Sequence, residues 1–368
     1  HYDQSGFDHT GLIAYYPGDK INYENNDFVK KYGINGQLEY ASDQFSAFID
    51  GAISNTGYAR RDYFVANYPK TPYYNFLGFI VKGGVNVNLT NAFNVYFNAG
   101  YNNRAPYFNG VFQYTNTPIE NRHNEKVTNF ELGMGLKVSS RSVITADLYH
   151  TRWGDQTFNT SAPTSPGASN YNLYNVQGLN EIHKGLEVNG HFYLSDDFSF
   201  KAGLALEDNY YENDVQTTIF NQNHQKVGVS HLYIKNLKVS ASPQTMATLS
   251  FNYRFHVQGG TFFINPRGRY LADYYSEFNP TYRTSASLAG HQGWKMPAYG
   301  LIDLTTGYNF KVGGKFAGIQ SAEIMFNLDN VMNTTYISDA YDVNGLRADA
   351  NVFYGNPRTA VFTFKFYF

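Results

Sequence analysis

Apolar and polar residues alternate one for one along most of this chain, from Tyr32 to the C-terminus. In Phe93–Tyr101 the odd positions Phe93, Val95, Phe97, Ala99 and Tyr101 share one face, and Asn94, Tyr96, Asn98 and Gly100 take the other. Phe130, Leu132, Met134, Leu136 and Val138 alternate with Glu131, Gly133, Gly135 and Lys137 in the same way. So do Phe198, Phe200, Ala202, Leu204 and Leu206 against Ser199, Lys201, Gly203 and Glu207. A two-residue period puts each set on one side of a pleated sheet, whereas a helix would scatter it around the circumference. The pattern predicts thirteen strands, near 32–41, 44–54, 77–89, 93–104, 127–138, 142–152, 183–194, 198–210, 245–257, 260–270, 299–311, 320–329 and 358–368. Each runs to about 9–13 residues, long enough for a tilted strand to cross a hydrocarbon layer, while globular strands average about 5–6.

The connections alternate too. Ala41-Ser-Asp43, Thr90-Asn-Ala92, Ser139-Ser-Arg141, Ser195-Asp-Asp197 and Gln258-Gly259 are short turns. Between them lie long segments, 55–76, 105–126, 153–182, 211–244, 271–298 and 330–357. Short turns at one end and long loops at the other describe an antiparallel transmembrane β-barrel of the bacterial outer membrane, with the turns periplasmic and the loops extracellular. The fold class expected is therefore all-β. Counting back from a periplasmic C-terminus, residues 1–31 belong to an outer loop. Thirteen is odd, and bacterial single-chain barrels close with an even number. Either a further strand lies near Gly11–Tyr16 or upstream strands are absent from this chain, and the start inside a loop without a signal peptide favours the second.

Composition agrees. Aromatic residues make up 18%, as 33 Tyr and 30 Phe with only 2 Trp, which suits the girdles at two membrane interfaces. A mean hydropathy of −0.44 fits strands whose second face is polar. The balance of 28 basic and 30 acidic residues points to no nucleic-acid partner, and with no cysteine there is no disulfide or thiolate chemistry.

No catalytic constellation, metal site or cofactor site is expected. Asp196-Asp197 sits in a short turn, where Asp is favoured for turn reasons. Gly83-Gly84 and Gly313-Gly314 lack the strand–helix setting of a phosphate loop. His123, His224, His231 and His291 read as solvated loop residues before they read as metal or haem ligands. The lumen-facing charges expected from the alternation are Glu207, Arg254, Arg267 and Arg269, since a charge facing lipid at mid-depth costs about 2–4 kcal/mol. The ligand-binding candidates are Arg104 and the loop aromatics Tyr107, Phe112, Tyr114, Trp153, Tyr171, Tyr174 and Trp294. Their ring faces beside Asn and Gln suit a sugar or siderophore, and suit equally a girdle or a folded loop cap.

Four stretches, in order, carry a family resemblance. Phe93–Gly110 reads FNVYFNAGYNNRAPYFNG, a strand running into an Arg-Ala-Pro turn. Val127-Thr-Asn-Phe-Glu-Leu-Gly133 opens the next strand, Met325-Phe-Asn-Leu-Asp-Asn-Val-Met-Asn-Thr-Thr-Tyr336 lies near the end, and Gly355-Asn-Pro-Arg-Thr359 leads into the last strand. Together they resemble the TonB-dependent receptors, and the terminal Phe368 resembles the signal read by the outer-membrane assembly machinery. The Tyr- and Asn-rich loops suit the Bacteroidetes branch.

The resemblance implies a 22-stranded barrel filled by an N-terminal plug. Residues 1–368 would be its C-terminal portion, with roughly nine strands, the plug and the TonB-contacting segment upstream. It implies uptake of a siderophore, haem, cobalamin or an oligosaccharide rather than catalysis. The implied partners are outer-membrane lipids, the inner-membrane TonB complex, the ligand and a surface lipoprotein. A plugless diffusion porin, an adhesin-like barrel and a structural subunit of a larger complex remain open.

Overall fold

A computed structural model of the chain describes residues 24–64, 66–67, 69–112, 116–164, 170–240, 242–278, 283–312, 318–342 and 347–368. The Gly11–Tyr16 segment, Tyr114 and Gly313-Gly314 lie outside the described residues. All thirteen expected strands are present. They are β1 (Asn25–Ala41), β2 (Phe45–Asp62), β3 (Tyr74–Asn88), β4 (Phe93–Arg104), β5 (Glu125–Lys137), β6 (Val143–Pro163) and β7 (Tyr171–Tyr193). There follow β8 (Phe198–Glu207), β9 (Thr245–Val257), β10 (Gly260–Ala272), β11 (Tyr299–Lys311), β12 (Ser321–Asp329) and β13 (Thr359–Tyr367). Each pairs antiparallel with the next in chain order, so the sheet is a single meander.

Register turns the local alternation into two continuous faces. Phe97, Leu132, Leu148, Leu186 and Leu206 are successive cross-strand partners on β4 to β8. One residue along, Asn98, Glu131, Tyr149, Gly185 and Glu207 form the matching row on the other face. The apolar belt has no protein layer over it: Leu38 is 75% and Leu148 55% exposed. A belt this continuous needs an apolar medium to cover it. At the short-turn end it finishes in aromatic contacts, with ring centroids 4.2 Å apart for Tyr253–Phe255 and for Phe262–Tyr308. Among the described residues no helix is long and apolar enough to cross a membrane, so any crossing is made by strands.

The clusters of buried apolar side chains sit at the long-loop end. The largest joins Val176, Leu179, Tyr211, Val215, Leu232, Ile234 and Leu237. It forms because the 211–244 connection folds into a hairpin, Val215–Phe220 with Lys226–Leu232, whose first strand adds to the edge of β7. The 153–182 segment, expected as a loop, is instead mostly strand, since β6 has 21 residues and β7 has 23. Asp155 (φ 57°) and Gly178 (φ 73°) take left-handed conformations where the β6–β7 register shifts. This bulge interrupts the alternation without ending the pairing.

Candidate ligand-binding site

At the long-loop end of the polar face lies a cavity of about 580 Å³ lined by Asp27, Arg60, Tyr107, Glu125, Trp153 and Phe158 among others. Arg104 ends β4, Glu125 opens β5, and the two are cross-strand partners. Trp153 lies on β6 opposite Val127. Even spacing from Asn98, Glu131 and Tyr149 places all three on the polar face.

Glu125 is 1% exposed, and one carboxylate oxygen, Oε2, accepts three hydrogen bonds. Arg104 donates from Nε at 2.9 Å and from Nη2 at 2.7 Å, and Trp153 donates from Nε1 at 3.1 Å. Burying a carboxylate is tolerable only with such partners. The Arg104 guanidinium lies 4.8 Å from the Tyr107 ring centroid and 5.0 Å from that of Trp153, within cation–π range.

A second ion pair stands beside the first. Arg60 donates to both carboxylate oxygens of Asp27, at 2.8 and 3.2 Å, with its guanidinium 5.0 Å from the Phe108 ring centroid. Arg60, which lines the cavity, and Arg104 beside it thus each have a carboxylate partner. What the cavity offers is ring faces and hydrogen-bonding edges rather than a net charge.

The Arg-Ala-Pro turn presents Tyr107. Tyr58 Oη donates to the Pro106 carbonyl at 2.9 Å, and a single 3₁₀ turn, Phe108–Gly110, follows. A Cβ on Gly110 would meet Pro106 at 3.2 Å and Thr157 at 3.5 Å, so the turn closes tightly against β6. Tyr107 is left 57% exposed.

The structure thus brings Arg104, Tyr107 and Trp153 together and separates the other candidates. Phe112, expected at the ligand surface, is fully buried with Tyr58 and Val111, because the loop packs its own aromatics as a core. Tyr174 is also buried, on β7, where the added hairpin strand covers it. Trp153, Tyr171 and Tyr174 stand on strands rather than in the expected loop, since β6 and β7 continue outward. Tyr171 is exposed opposite Pro163, far along that extension. Trp294 is half-buried against Tyr274, Met296 and Ala340 in another loop cluster.

Glu207, Arg254, Arg267 and Arg269 all fall on the polar face. Nη2 of Arg267 and of Arg269 lie 3.0 and 2.9 Å from Asp303 Oδ2, and Glu207 Oε2 accepts from Asn209 Nδ2 at 2.5 Å. Arg254 is exposed and, with Lys201 and Arg267, lines a separate cavity of about 460 Å³.

Sequence reasoning missed Glu125, Arg60 and Asp27. Six residues outward from the Asn98–Glu131 pair stand Arg104 and Glu125, so the register of β4 and β5 held that signal. It also missed a chamber of about 920 Å³ between residues 117–123, β7 and the added hairpin, lined by Asn175, Gln177, Gln216, His123 and His224 among others. Among the described residues no group of three or more His, Asp or Glu side chains is placed to hold a metal.

The sequence matches the family model described as "TonB dependent receptor-like, beta-barrel" over residues 1–331, which runs past the end of β12. No match was found among curated proteins. Solved structures share the fold. The ferric-catecholate import receptor Fiu from E. coli K12 has a TM-score of 0.59 at 16% identity, covering 95% of this chain and 47% of that receptor. The siderophore receptor PiuA from Acinetobacter baumannii gives 0.62 at 13% identity, with 92% and 43% covered. The ferric yersiniabactin uptake receptor FyuA from Yersinia pestis gives 0.58 at 14%, with 94% and 46% covered. This chain therefore spans just under half the length of these receptors. These relatives are receptors and transporters, not enzymes. With its uncovered apolar belt, its two-beat connections and a family match over most of its length, the chain belongs to the TonB-dependent receptors, as part of their outer-membrane β-barrel.

Proposed function

We propose that the full-length protein takes up a scarce nutrient across the outer membrane, capturing it at the long-loop end of the polar face. The observation that carries this reading is the cluster of Arg104, Glu125 and Trp153 beside exposed Tyr107. It is a pre-formed, charge-balanced cavity with ring faces, suited to a ring-bearing ligand that also hydrogen-bonds. Ferric siderophores are the first class to assay, because Fiu is a ferric-catecholate import receptor, PiuA a siderophore receptor and FyuA a ferric yersiniabactin uptake receptor. Haem, cobalamin and oligosaccharides follow.

In this reading the polar face lines the lumen, and upstream strands and a plug complete the receptor. Energy reaches the plug from the inner-membrane TonB complex. Two features support this. Among the described residues β1, 17 residues long, pairs on only one side, and an open edge of that length is what barrel closure removes. The polar face also carries charged side chains that a folded plug would meet, among them Glu131, Asp147 and Glu187 on β5 to β7 and Lys201, Glu207, Arg254, Arg267 and Arg269 on β8 to β10.

The test is genetic. The gene is deleted, and iron is supplied only as a ferric catecholate, a yersiniabactin-type chelate or haem. Cobalamin and oligosaccharides are tested as separate sole sources. Growth should fail on one source and return with the full-length receptor. It should return poorly with Tyr107→Ala or Trp153→Ala at equal receptor level. Normal growth of the deletion strain on every source, with a large steady conductance of the purified receptor in planar bilayers, would favour a diffusion channel instead.

A further inference from the structure

The apolar face carries a groove of about 540 Å³ that nutrient uptake does not use. Phe97, Phe130, Leu132, Leu148 and Leu206 line it from the apolar face, Glu131, Tyr149, Gly185 and Glu207 of the polar-face row lie behind them, and His150, Lys184 and Asp208 stand at its upper end. We propose that this groove binds one phosphate-bearing lipid of net negative charge from the outer leaflet, with acyl chain against the leucines and phosphate at Lys184 and Lys238.

The first argument is level. On three neighbouring strands the outward apolar series stops at one row. Leu148 is followed by His150 on β6, Leu186 by Lys184 on β7, and Leu206 by Asp208 beyond β8, while on β5 Phe130 stands beside His150 in the next row. His150 and Lys184 are direct cross-strand partners, and the Asp208 amide donates to the Lys184 carbonyl at 2.8 Å. This is where a headgroup meets its chains, on the long-loop side of the belt.

The second argument is charge. Lys184 Nζ lies 3.1 Å from Asp208 Oδ2, and Lys238 Nζ is paired with the other oxygen of the same carboxylate. Two ammonium groups share one outward-facing acid, so a positive excess sits at the mouth of the groove on the outward face, with Glu131 and Glu207 on the opposite face of the sheet. The next charges upward are one-to-one pairs, Arg152–Glu212 at 2.7 Å and Lys126–Asp155 at 2.8 Å. The excess is therefore local. A phosphate joined to an acyl chain satisfies both features at once, whereas free phosphate leaves the groove empty.

The experiment uses the full-length receptor in mixed micelles of phosphatidylglycerol and phosphatidylcholine with identical chains. Retained lipids are counted by native mass spectrometry during detergent exchange. One phosphatidylglycerol should be retained in preference to phosphatidylcholine, and excess inorganic phosphate should not displace it. K184Q/K238Q should lower its retention about 25-fold, at roughly fivefold for each basic residue at an anionic lipid surface. Asp208→Asn should act in the opposite direction and raise it. Arg141→Gln, at the short-turn end beside Asp196, should change nothing. Equal retention of both lipids by the wild type, displacement by inorganic phosphate, unchanged retention in the double variant, or a loss in Asp208→Asn would each overturn the proposal. A double variant that failed to fold would leave Asp208→Asn to decide it.

Discussion

Replacing Met134 by arginine tests what covers the apolar face. Met134 is the third of four outward apolar residues on β5 counted from the long-loop side, and its cross-strand partners are Val95 and Ala146. It is 45% exposed, so the protein itself leaves room for a longer side chain. If water covered this face, Met134→Arg would be an ordinary surface change, within about 0.5 kcal/mol of neutral. If the bilayer core covers it, a guanidinium near mid-depth costs about 2–4 kcal/mol. That is roughly a 30- to 900-fold shift in the folding equilibrium, at tenfold per 1.36 kcal/mol. Thr128 is three outward positions higher on the same strand, above Phe130, and there arginine should cost only about 0–1 kcal/mol. The assay is guanidinium titration of the full-length receptor refolded into phosphocholine vesicles, comparing wild type, Met134→Arg and Thr128→Arg. Equal costs for the two variants, or a Met134→Arg midpoint indistinguishable from wild type, would refute the assignment of this face to lipid.

Three further outcomes are expected. A double-mutant cycle with Arg104→Gln and Glu125→Gln should give a coupling of about 1–2 kcal/mol in the same titration. That is the lower part of the range for charge-assisted bonds, because the Arg104 side chain stays 35% exposed; a coupling near zero would remove the rationale for the rim cluster. Gly133→Val should cost about 1–3 kcal/mol by overpacking, because the Tyr96 ring rests on that glycine while its hydroxyl reaches Asp147 and Glu131. Gly36→Ala, where nothing lies within 4 Å of the added Cβ, is the matched control and should fold like wild type. Hydrogen bonds from Lys295 and Thr245 hold the Asp273 carboxyl below the usual carboxylate range. That stabilisation is present above the ordinary aspartate range and is lost as pH falls through the lowered value. Hydrogen exchange at residues 294–296 should therefore separate wild type from Asp273→Asn at neutral pH and converge once the pH has fallen through the lowered value; a gap that persisted with the carboxyl protonated would count against it.

The sequence by itself determined the wall. Each strand meets lipid on one face and a polar environment on the other, so the requirement repeats every two residues and is written locally. All thirteen strands, the belt and the placing of Glu207, Arg254, Arg267 and Arg269 opposite it follow from that period alone. The tertiary structure decided the long-loop end. Water is available on every side there, so burial depends on which distant segments meet. Phe112 became core because Tyr58, 54 positions earlier, lies beneath it. Tyr174 was covered by a hairpin drawn from residues 215–232. Asp27 and Arg60 joined the cavity because β1 and β2 run well past the apolar belt. Glu125 is an intermediate case: its row follows from β4–β5 register, but its burial, and the Trp153 bond that completes it, needed the third strand in place.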